Sequence, residues 1–559
     1  MNPTAGDAPF DRASMLQRLA DETFDIVVIG GGITGTGVAL DAASRGLRTA
    51  LVERDDFASG TSSKSSKLVH GGLRYLQQGE VRLVYEALHE RQRLRKNAPH
   101  LVRLLPFMIP ILTRDGVVSR KIARVLGTSM WMYDLTGGWR IGKFHKRLKK
   151  HAAFEHLPTM PEDRLASAYL YYDATADDAR LCLTVARTAA THGAVIANRC
   201  PVVEIARDDN GKATGVVVDA DGTHITVRAS VVVNAAGVWA DDVRALAESS
   251  HPGSIRPAKG VHITVPWNKV RNDIAVVIPV PKDKRSLFVV PWGSNGDGTF
   301  QHTYIGTTDT DYSGSIDDPQ CTKEDIDYVL RALNASITTG VTADDITGVW
   351  AGLRPLVKTG GSARTADLSR RHRVVTNEAG MITVTGGKLT TYREMAEDTV
   401  DAAIDHLAGS GAIRRAKCRT KNLPMLGSIG YQEPAPGSPD AHLAGRYGTR
   451  LNEIHELISA DPQLGEPLVA GLPYLRAEAV YAVRHEMART LDDVLSRRTR
   501  ARLFDRHASV EAAESVAALI APELGWTPAQ QAEQAESYRR SCALEAAAGS
   551  ADVTATGLA

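Results

Sequence analysis

A glycine-rich turn set between a buried-strand pattern and a helix pattern constrains this chain more than any other feature. Phe24-Asp-Ile-Val-Val-Ile-Gly30 is a short β-branched apolar run, the pattern of a parallel strand covered on both faces. Gly30-Gly31-Gly32-Ile33-Thr34-Gly35 follows at G-x-G-x-x-G spacing. Ile33 to Ser44 then predicts a helix, and Leu47 to Val52 the next strand, giving a βαβ unit. In such a unit Gly30 permits the tight turn, Gly32 lets backbone approach a pyrophosphate, and Gly35 lets helix and strand pack closely. The helix N-terminus stabilises the phosphate charge. Glu53 ends the second strand, where an acid meets ribose hydroxyls and disfavours a 2′-phosphate. The competing reading is a glycine turn in an unrelated α/β fold with Glu53 as a surface acid. Strand, glycines, helix and acid coincide, which favours a dinucleotide site.

Two further strand-to-glycine transitions come much later. Val231–Asn234 leads into Ala235-Ala236-Gly237, and Met381–Thr385 into Gly386-Gly387-Lys388. The nucleotide domain is therefore expected to be discontinuous, from residues 21–110, 175–255 and 350–415. Val261–Pro266, Ser286–Trp292 and Thr303–Thr307 read as strands between Gly, Asn and Asp turns. They predict an antiparallel-sheet substrate domain over 111–174 and 256–349. Thr322-Lys-Glu-Asp325 has capping-box form and opens a helix running to about Ile337. Strand signals stop near Lys417, so 416–433 is expected as a linker region, 434–545 as a C-terminal helical domain and 546–559 as a tail. The fold class is thus α/β and α+β multidomain, with a Rossmann-like first domain.

Bulk properties bound the partners. A chain of 559 residues exceeds one ordinary core. The 66 Lys and Arg nearly cancel the 65 Asp and Glu, so net charge indicates neither a nucleic-acid coat nor an acidic tail. Five scattered cysteines without C-x-x-C spacing read as cytosolic thiols. Residues 1–20 are a polar leader without an apolar h-region, so no secretory signal is expected. No stretch approaches the roughly 20 apolar residues that span a bilayer, and no metal-ligand cluster stands out.

The fingerprint alone leaves NAD and FAD open. Phe57 to Lys67 is small and hydroxyl-rich, with Thr61, Ser62 and Lys67 able to follow an extended FAD; a flexible solvent loop is the alternative. Ser65-Ser-Lys-Leu-Val-His-Gly-Gly-Leu-Arg-Tyr-Leu76 is more specific. With it the sequence closely resembles the FAD-dependent glycerol-3-phosphate dehydrogenases, within the wider D-amino-acid-oxidase-like flavoproteins. Further matches follow in order: Ala258-Lys-Gly-Val-His262, Ile305 to Asp311, Ala351-Gly-Leu-Arg-Pro-Leu356, Leu368-Ser-Arg370, Gly386 to Arg393, and Leu491 to Arg498. The resemblance covers essentially the whole chain.

It implies an FAD-binding first domain and oxidation of sn-glycerol 3-phosphate to dihydroxyacetone phosphate, with electrons passing to a membrane quinone. It implies substrate contacts at Arg74, Tyr75, Arg354, Arg370 and Lys388, and His70 beside the flavin. Guanidinium forks suit a phosphate dianion. His70 has the side chain whose ordinary pKa suits a proton acceptor, although flavin packing or a turn role explains it equally. Arg354 or Lys388 would alternatively stabilise a developing alkoxide. Read without the resemblance, each of these arginines is a surface charge, and Arg371 departs from the acid often found there. Gly387 and a helix beginning near Thr390 would face the N1/C2=O side of reduced flavin. Val203 would bring backbone to the adenine, or else simply pack.

Two rival functions stay open. An oxidase of the same fold would return electrons to oxygen. An FAD-dependent RNA-modifying or RNA-binding protein is suggested by the basic run Arg140 to Lys150, but sparse aromatics argue against nucleic acid. The same region, Arg114 to Lys150, intersperses Met130, Trp131, Met132 and Trp139 among cations. This predicts peripheral attachment to an anionic membrane at its cytoplasmic face, against a solvated loop with inward tryptophans. Homo-oligomerisation is left open.

Overall fold

The computed structural model describes residues 10–72, 81–113, 143–248, 253–283, 285–357, 371–409, 416–435 and 437–550, together with 127, 130, 131 and 411. Thr23–Ile29 lies at the centre of the first sheet, parallel to Thr49–Val52 on one side and Thr223–Asn234 on the other. Val195–Ala197 and Ile382–Thr385 extend the parallel order outward, and Arg373–Thr376 adds an antiparallel edge. The discontinuous construction expected from the separated strand patterns is therefore present. Thr49–Val52, Val195–Ala197 and Ile382–Thr385 are buried throughout. Burial on both faces is what an unalternating apolar strand requires, and each fully buried Val or Ile contributes about 1.5–3 kcal/mol.

The helix Ile33–Ser44 spans the predicted residues and packs between the helices Asp178–Thr191 and Tyr392–Gly409. Covered on several sides, it has no polar stripe; even Thr36 and Asp41 are inaccessible to solvent. Within the expected polar leader, the described residues include a helix. Asp11 accepts hydrogen bonds from the Ala13 and Ser14 amides and caps the helix Arg12–Asp21, which buries Met15 and Leu19.

In the second sheet Ile255–Pro266 runs antiparallel between Phe300–Gly306 and Gly348–Val357. Arg103–Leu112 pairs antiparallel with Leu165–Thr175 but parallel with Ala275–Pro279. The second sheet is thus mixed, and two expected boundaries shift. Residues 103–110 and 350–357, expected with the nucleotide segments, belong to the second sheet. Their apolar runs fit either sheet, and pairing decides. The helix Lys323–Asn334 begins as its capping box requires, with the Thr322 amide and hydroxyl both donating to Asp325. It ends at Asn334 rather than Ile337.

Residues 416–433 do not form a detached linker. The Met425 amide donates to the Asn97 carbonyl at 2.8 Å, and the Met425 side chain enters the first core. Beyond it, helices including Arg476–Glu486, Ala513–Leu524 and Pro528–Ser550 enclose a separate apolar cluster around Val494, Ala517, Ile520 and Tyr538. This helical unit grips the first domain through buried charge. Arg498 donates from both terminal nitrogens to Asp56 at 2.7 Å, with almost no exposure of either side chain. Arg180 pairs with Glu486, and Arg500 with Asp177 and Asp178. No described helix is long and apolar enough to cross a membrane.

Candidate active site

Backbone sterics shape the glycine turn. Gly30 has φ +110°, and a Cβ there would lie 2.8 Å from the Ala235 carbonyl oxygen. A Cβ on Gly35 would fall 1.9 Å from the Gly30 carbonyl oxygen. Gly35 therefore lets the helix dock on the strand, as its place in the motif requires. The Ser62 hydroxyl accepts from the Ile33 amide at 2.9 Å, and Thr61 Oγ1 donates to the Leu353 carbonyl at 2.6 Å. The turn Thr61–Ser63 thus ties the glycine-rich helix to the strand carrying Arg354.

Glu53 accepts from the Gly31 amide at 2.6 Å and from the Asp55 amide at 2.8 Å. Burial dominates these bonds and raises its carboxyl pKa to about 7. Each carboxylate oxygen retains acceptor capacity for a ribose hydroxyl.

One cavity of about 510 Å³ brings most of the sequence-derived residues together. Gly30, Gly32, Glu53, Thr61, Ser62 and Gly237 line one part; His70, Arg354, Gly387, Lys388 and Thr390 line the rest. Such a volume is in the usual range for a ligand site. The His70 amide donates to Thr390 Oγ1 at 3.1 Å, joining the second-sheet side of the cavity to the turn Leu389–Thr391. The His70 ring meets Phe288 edge-on with centroids 6.1 Å apart. Lys388 caps that turn in extended conformation, and the helix Tyr392–Gly409 follows. Arg354 donates to Asp309 Oδ1 at 3.1 Å and to Thr307 Oγ1 and the Thr308 carbonyl at 3.0 Å, which fixes its guanidinium plane at the cavity wall.

One expected cofactor contact, that of Lys67, is corrected. Lys67 is buried and does not line the cavity; its ammonium donates to Ser63 O at 3.2 Å and Asp178 Oδ1 at 3.1 Å, and lies 4.6 Å from the Trp350 ring centroid. A hydroxyl-rich loop pattern does not reveal a carboxylate more than a hundred residues away. Val203 is 42 % exposed, and its neighbour Val202 lines the cavity together with Cys200. Arg74, Tyr75 and Arg370 lie outside the described residues.

His262, to which no role was expected from its motif, also lines the cavity. Its ring stacks on Trp350 at 4.7 Å, and Nε2 lies 3.0 Å from Ser66 Oγ, also in the lining. Burial first, then the charges of Lys67 and Arg354, hold its pKa far below the ordinary histidine value, so the ring is neutral. The signal was present in Ala258-Lys-Gly-Val-His262, but strand alternation alone does not say which face meets a cavity.

The glycine cradle, the buried acid and the cavity-lining cations Arg354 and Lys388 fit FAD together with a small anionic substrate. Among the described residues no group of three or more His, Cys, Asp or Glu is placed to hold a metal.

Comparison with known proteins agrees. Residues 25–393 match the family described as FAD dependent oxidoreductase, and 418–531 match the C-terminal domain of alpha-glycerophosphate oxidase. The chain is 42 % identical over 550 residues to "Glycerol-3-phosphate dehydrogenase 2" of Mycobacterium tuberculosis, covering 96 % of this chain and 91 % of that protein. It is 36 % identical over 568 residues to the mitochondrial glycerol-3-phosphate dehydrogenase of Homo sapiens, covering 96 % and 76 %. The crystal structure of the Bacillus halodurans glycerol-3-phosphate dehydrogenase complexed with FAD superposes with a TM-score of 0.75 at 30 % identity, over 97 % of this chain and 98 % of that one.

Proposed function

Because the chain belongs to the FAD dependent oxidoreductase family and carries an alpha-glycerophosphate oxidase C-terminal domain, we propose that it oxidises sn-glycerol 3-phosphate to dihydroxyacetone phosphate and delivers the electrons to a membrane quinone. The observation that carries this reading is the shared cavity, in which Arg354, Lys388 and His70 lie beyond the dinucleotide cradle. FAD, when bound, supplies the hydride acceptor for the substrate C2–H.

The protein's own groups bind, orient and move a proton. Arg354, with Arg74, Tyr75, Arg370 and Lys388, forms the anion pocket for the phosphate, where each charged hydrogen bond contributes about 1.5–3 kcal/mol. That binding energy orients the carbinol, so free glycerol reacts poorly. His70, anchored through its amide to Thr390, receives the hydroxyl proton, and Lys388 stabilises charge developing on that oxygen. Thr61, Ser62, Gly237 and Gly387, which line the cavity, would hold the cofactor.

Anaerobic addition of glycerol 3-phosphate to the purified flavoprotein tests the assignment. Bleaching of the oxidised flavin band is expected; protein bleached by another substrate but unchanged by glycerol 3-phosphate refutes it. The oxidase relationship of the C-terminal domain makes oxygen the second acceptor to examine. Peroxide release at a rate matching quinone reduction would assign the chain as an oxidase instead.

Membrane attachment is part of the same reading. Trp131 is 56 % and Phe144 48 % exposed, and Lys143, Lys146, Arg147 and Lys149 are exposed nearby in sequence. The remainder of the basic segment lies largely outside the described residues. Cations near an anionic bilayer contribute about 1 kcal/mol each. Flotation with anionic liposomes, abolished by salt and by neutralising these cations, is the expected result; binding indifferent to both removes this surface as the anchor.

A further inference from the structure

The segment that brings Thr61 and Ser62 to the cavity is held from behind by charges that do not reach the cavity. Thr61, Ser62, Lys64, Ser65 and Ser66 line the cavity, whereas Ser63, Lys67 and Asp178 do not. Asp178 opens the helix Asp178–Thr191, and its Oδ2 accepts from the Ser65 amide at 2.9 Å and from the Ser65 hydroxyl at 2.7 Å. Its Oδ1 accepts from the Lys67 ammonium at 3.1 Å. Ser66 is therefore bracketed, because the residues before and after it answer to one carboxylate.

That carboxylate is shared with the helical domain. Arg500 pairs with Asp178 and donates to Asp177 from two nitrogens at 2.7 and 3.0 Å. Lys67 and Arg500 both also donate to the Ser63 carbonyl, at 3.2 and 3.4 Å. The Lys67, Asp178 and Arg500 side chains are each at most 2 % exposed, so each relies on the others for the solvation it has lost. Removing Arg500 leaves Asp178 with Lys67 as its cation and takes one tie from the segment.

On the cavity side the same segment meets the second sheet. Ser66 Oγ lies 3.0 Å from His262 Nε2, the Tyr304 hydroxyl donates to the Ser66 carbonyl at 3.0 Å, and Trp350 Nε1 donates to the Ser65 carbonyl at 3.0 Å. The Ser66 hydroxyl is thus set by contacts on both sides of the segment.

We propose that Asp178 and Arg500 are positioning residues for the reaction: Asp178, shared between Lys67 and Arg500, holds Ser65 so that Ser66 and His262 stay paired on the cavity wall, and turnover depends on the docked helical domain. The inference rests on the glycerol 3-phosphate reading for the substrate used in its kinetic test. The Ser66–His262 pair is uncharged, so its displacement should fall on the chemical step rather than on binding of a phosphate dianion. A misplacement of about 1 Å far from the chemistry can cost on the order of a hundredfold in rate.

Hydrogen exchange read by mass spectrometry, on FAD-containing wild type and Arg500→Met, tests the link without any substrate. Exchange in residues 61–67 should quicken about tenfold or more, while the strand Thr23–Ile29 stays unchanged. Steady-state kinetics with glycerol 3-phosphate tests the consequence: kcat should fall about tenfold to a hundredfold, with KM and FAD content within about twofold of wild type. In a Ser66→Ala background the positioned hydroxyl is gone, so Arg500→Met should lower kcat by less than about twofold more, whereas a general structural loss would persist in full. Ser65→Ala cuts the hydroxyl bond to Asp178 and leaves the interdomain pairs in place. It should reproduce the same pattern, and it replaces Arg500→Met if that variant loses FAD. Unchanged exchange in residues 61–67, equal quickening in Thr23–Ile29, unchanged kcat, or a full loss of kcat in the Ser66→Ala background overturns the proposal. Wild-type protein that fails to turn over glycerol 3-phosphate refutes the substrate reading instead, and the exchange comparison still decides whether Arg500 and Asp178 hold the segment.

Discussion

Arg498→Met removes the centre of the contact between the helical domain and the nucleotide domain. Both Arg498 terminal nitrogens bind Asp56 at 2.7 Å, and Arg498 Nη2 also donates to the Glu486 carbonyl at 2.7 Å. The Arg498 and Asp56 side chains are 2 % and 0 % exposed, so solvent screens the pair very little. Breaking a buried pair from one side costs about 3–5 kcal/mol, because the remaining charge stays desolvated. Asp56 keeps Arg497 at 2.6 Å and Asn198 at 3.1 Å, which places the expected loss at the lower end of that range, about 3 kcal/mol. Burial pushes the Asp56 carboxyl pKa up, but Arg498 and Arg497 outweigh it and hold the group well below the usual carboxylate value. Stability from such a depressed acid is present above the unfolded pKa, about 3.9, and is lost only as pH falls towards the folded value. The difference between wild type and variant should accordingly be flat from about pH 6 to 9. Urea unfolding followed by flavin fluorescence and far-ultraviolet circular dichroism, in a double-mutant cycle with Asp56→Asn, measures it. A single-variant loss below about 1 kcal/mol, or a coupling energy near zero, would refute the assignment of this pair as the interdomain latch.

Glu53 has its pKa raised to about 7 from 4.5; the folded apoprotein binds the extra proton, so stability should fall as pH rises from 4.5 to about 7, and Glu53→Gln should flatten that slope in apoprotein melts. Gly35→Ala drives a methyl group into the Gly30 carbonyl, 1.9 Å away, and should yield protein largely without FAD, read from its absorbance. Arg354→Lys keeps the charge but loses the fork that spans Asp309, Thr307 and Thr308; kcat/KM should fall roughly tenfold to a hundredfold, about 1.5–3 kcal/mol, with FAD content retained. Wild-type kcat/KM in this variant would exclude Arg354 as a substrate ligand.

Local patterns in the sequence were enough to specify the strand, glycine turn and helix from Phe24 to Ser44, the acid Glu53, the discontinuous return of strands before Gly237 and Gly386, and the FAD family. Each depends on residues close in the chain, where period, β-branching and glycine placement express backbone geometry directly. Tertiary structure alone decided which sheet Arg103–Leu112 and Gly348–Val357 join, because an apolar run is compatible with any buried neighbour. It also decided that Lys67 answers Asp178 rather than cofactor, that His262 holds Ser66 at the cavity, and that Arg498 meets a carboxylate 442 residues away. A charged side chain carries no mark of its partner in the sequence; the partner is chosen only when folding brings the two together, and in the buried interface the cost of leaving either alone makes that choice binding.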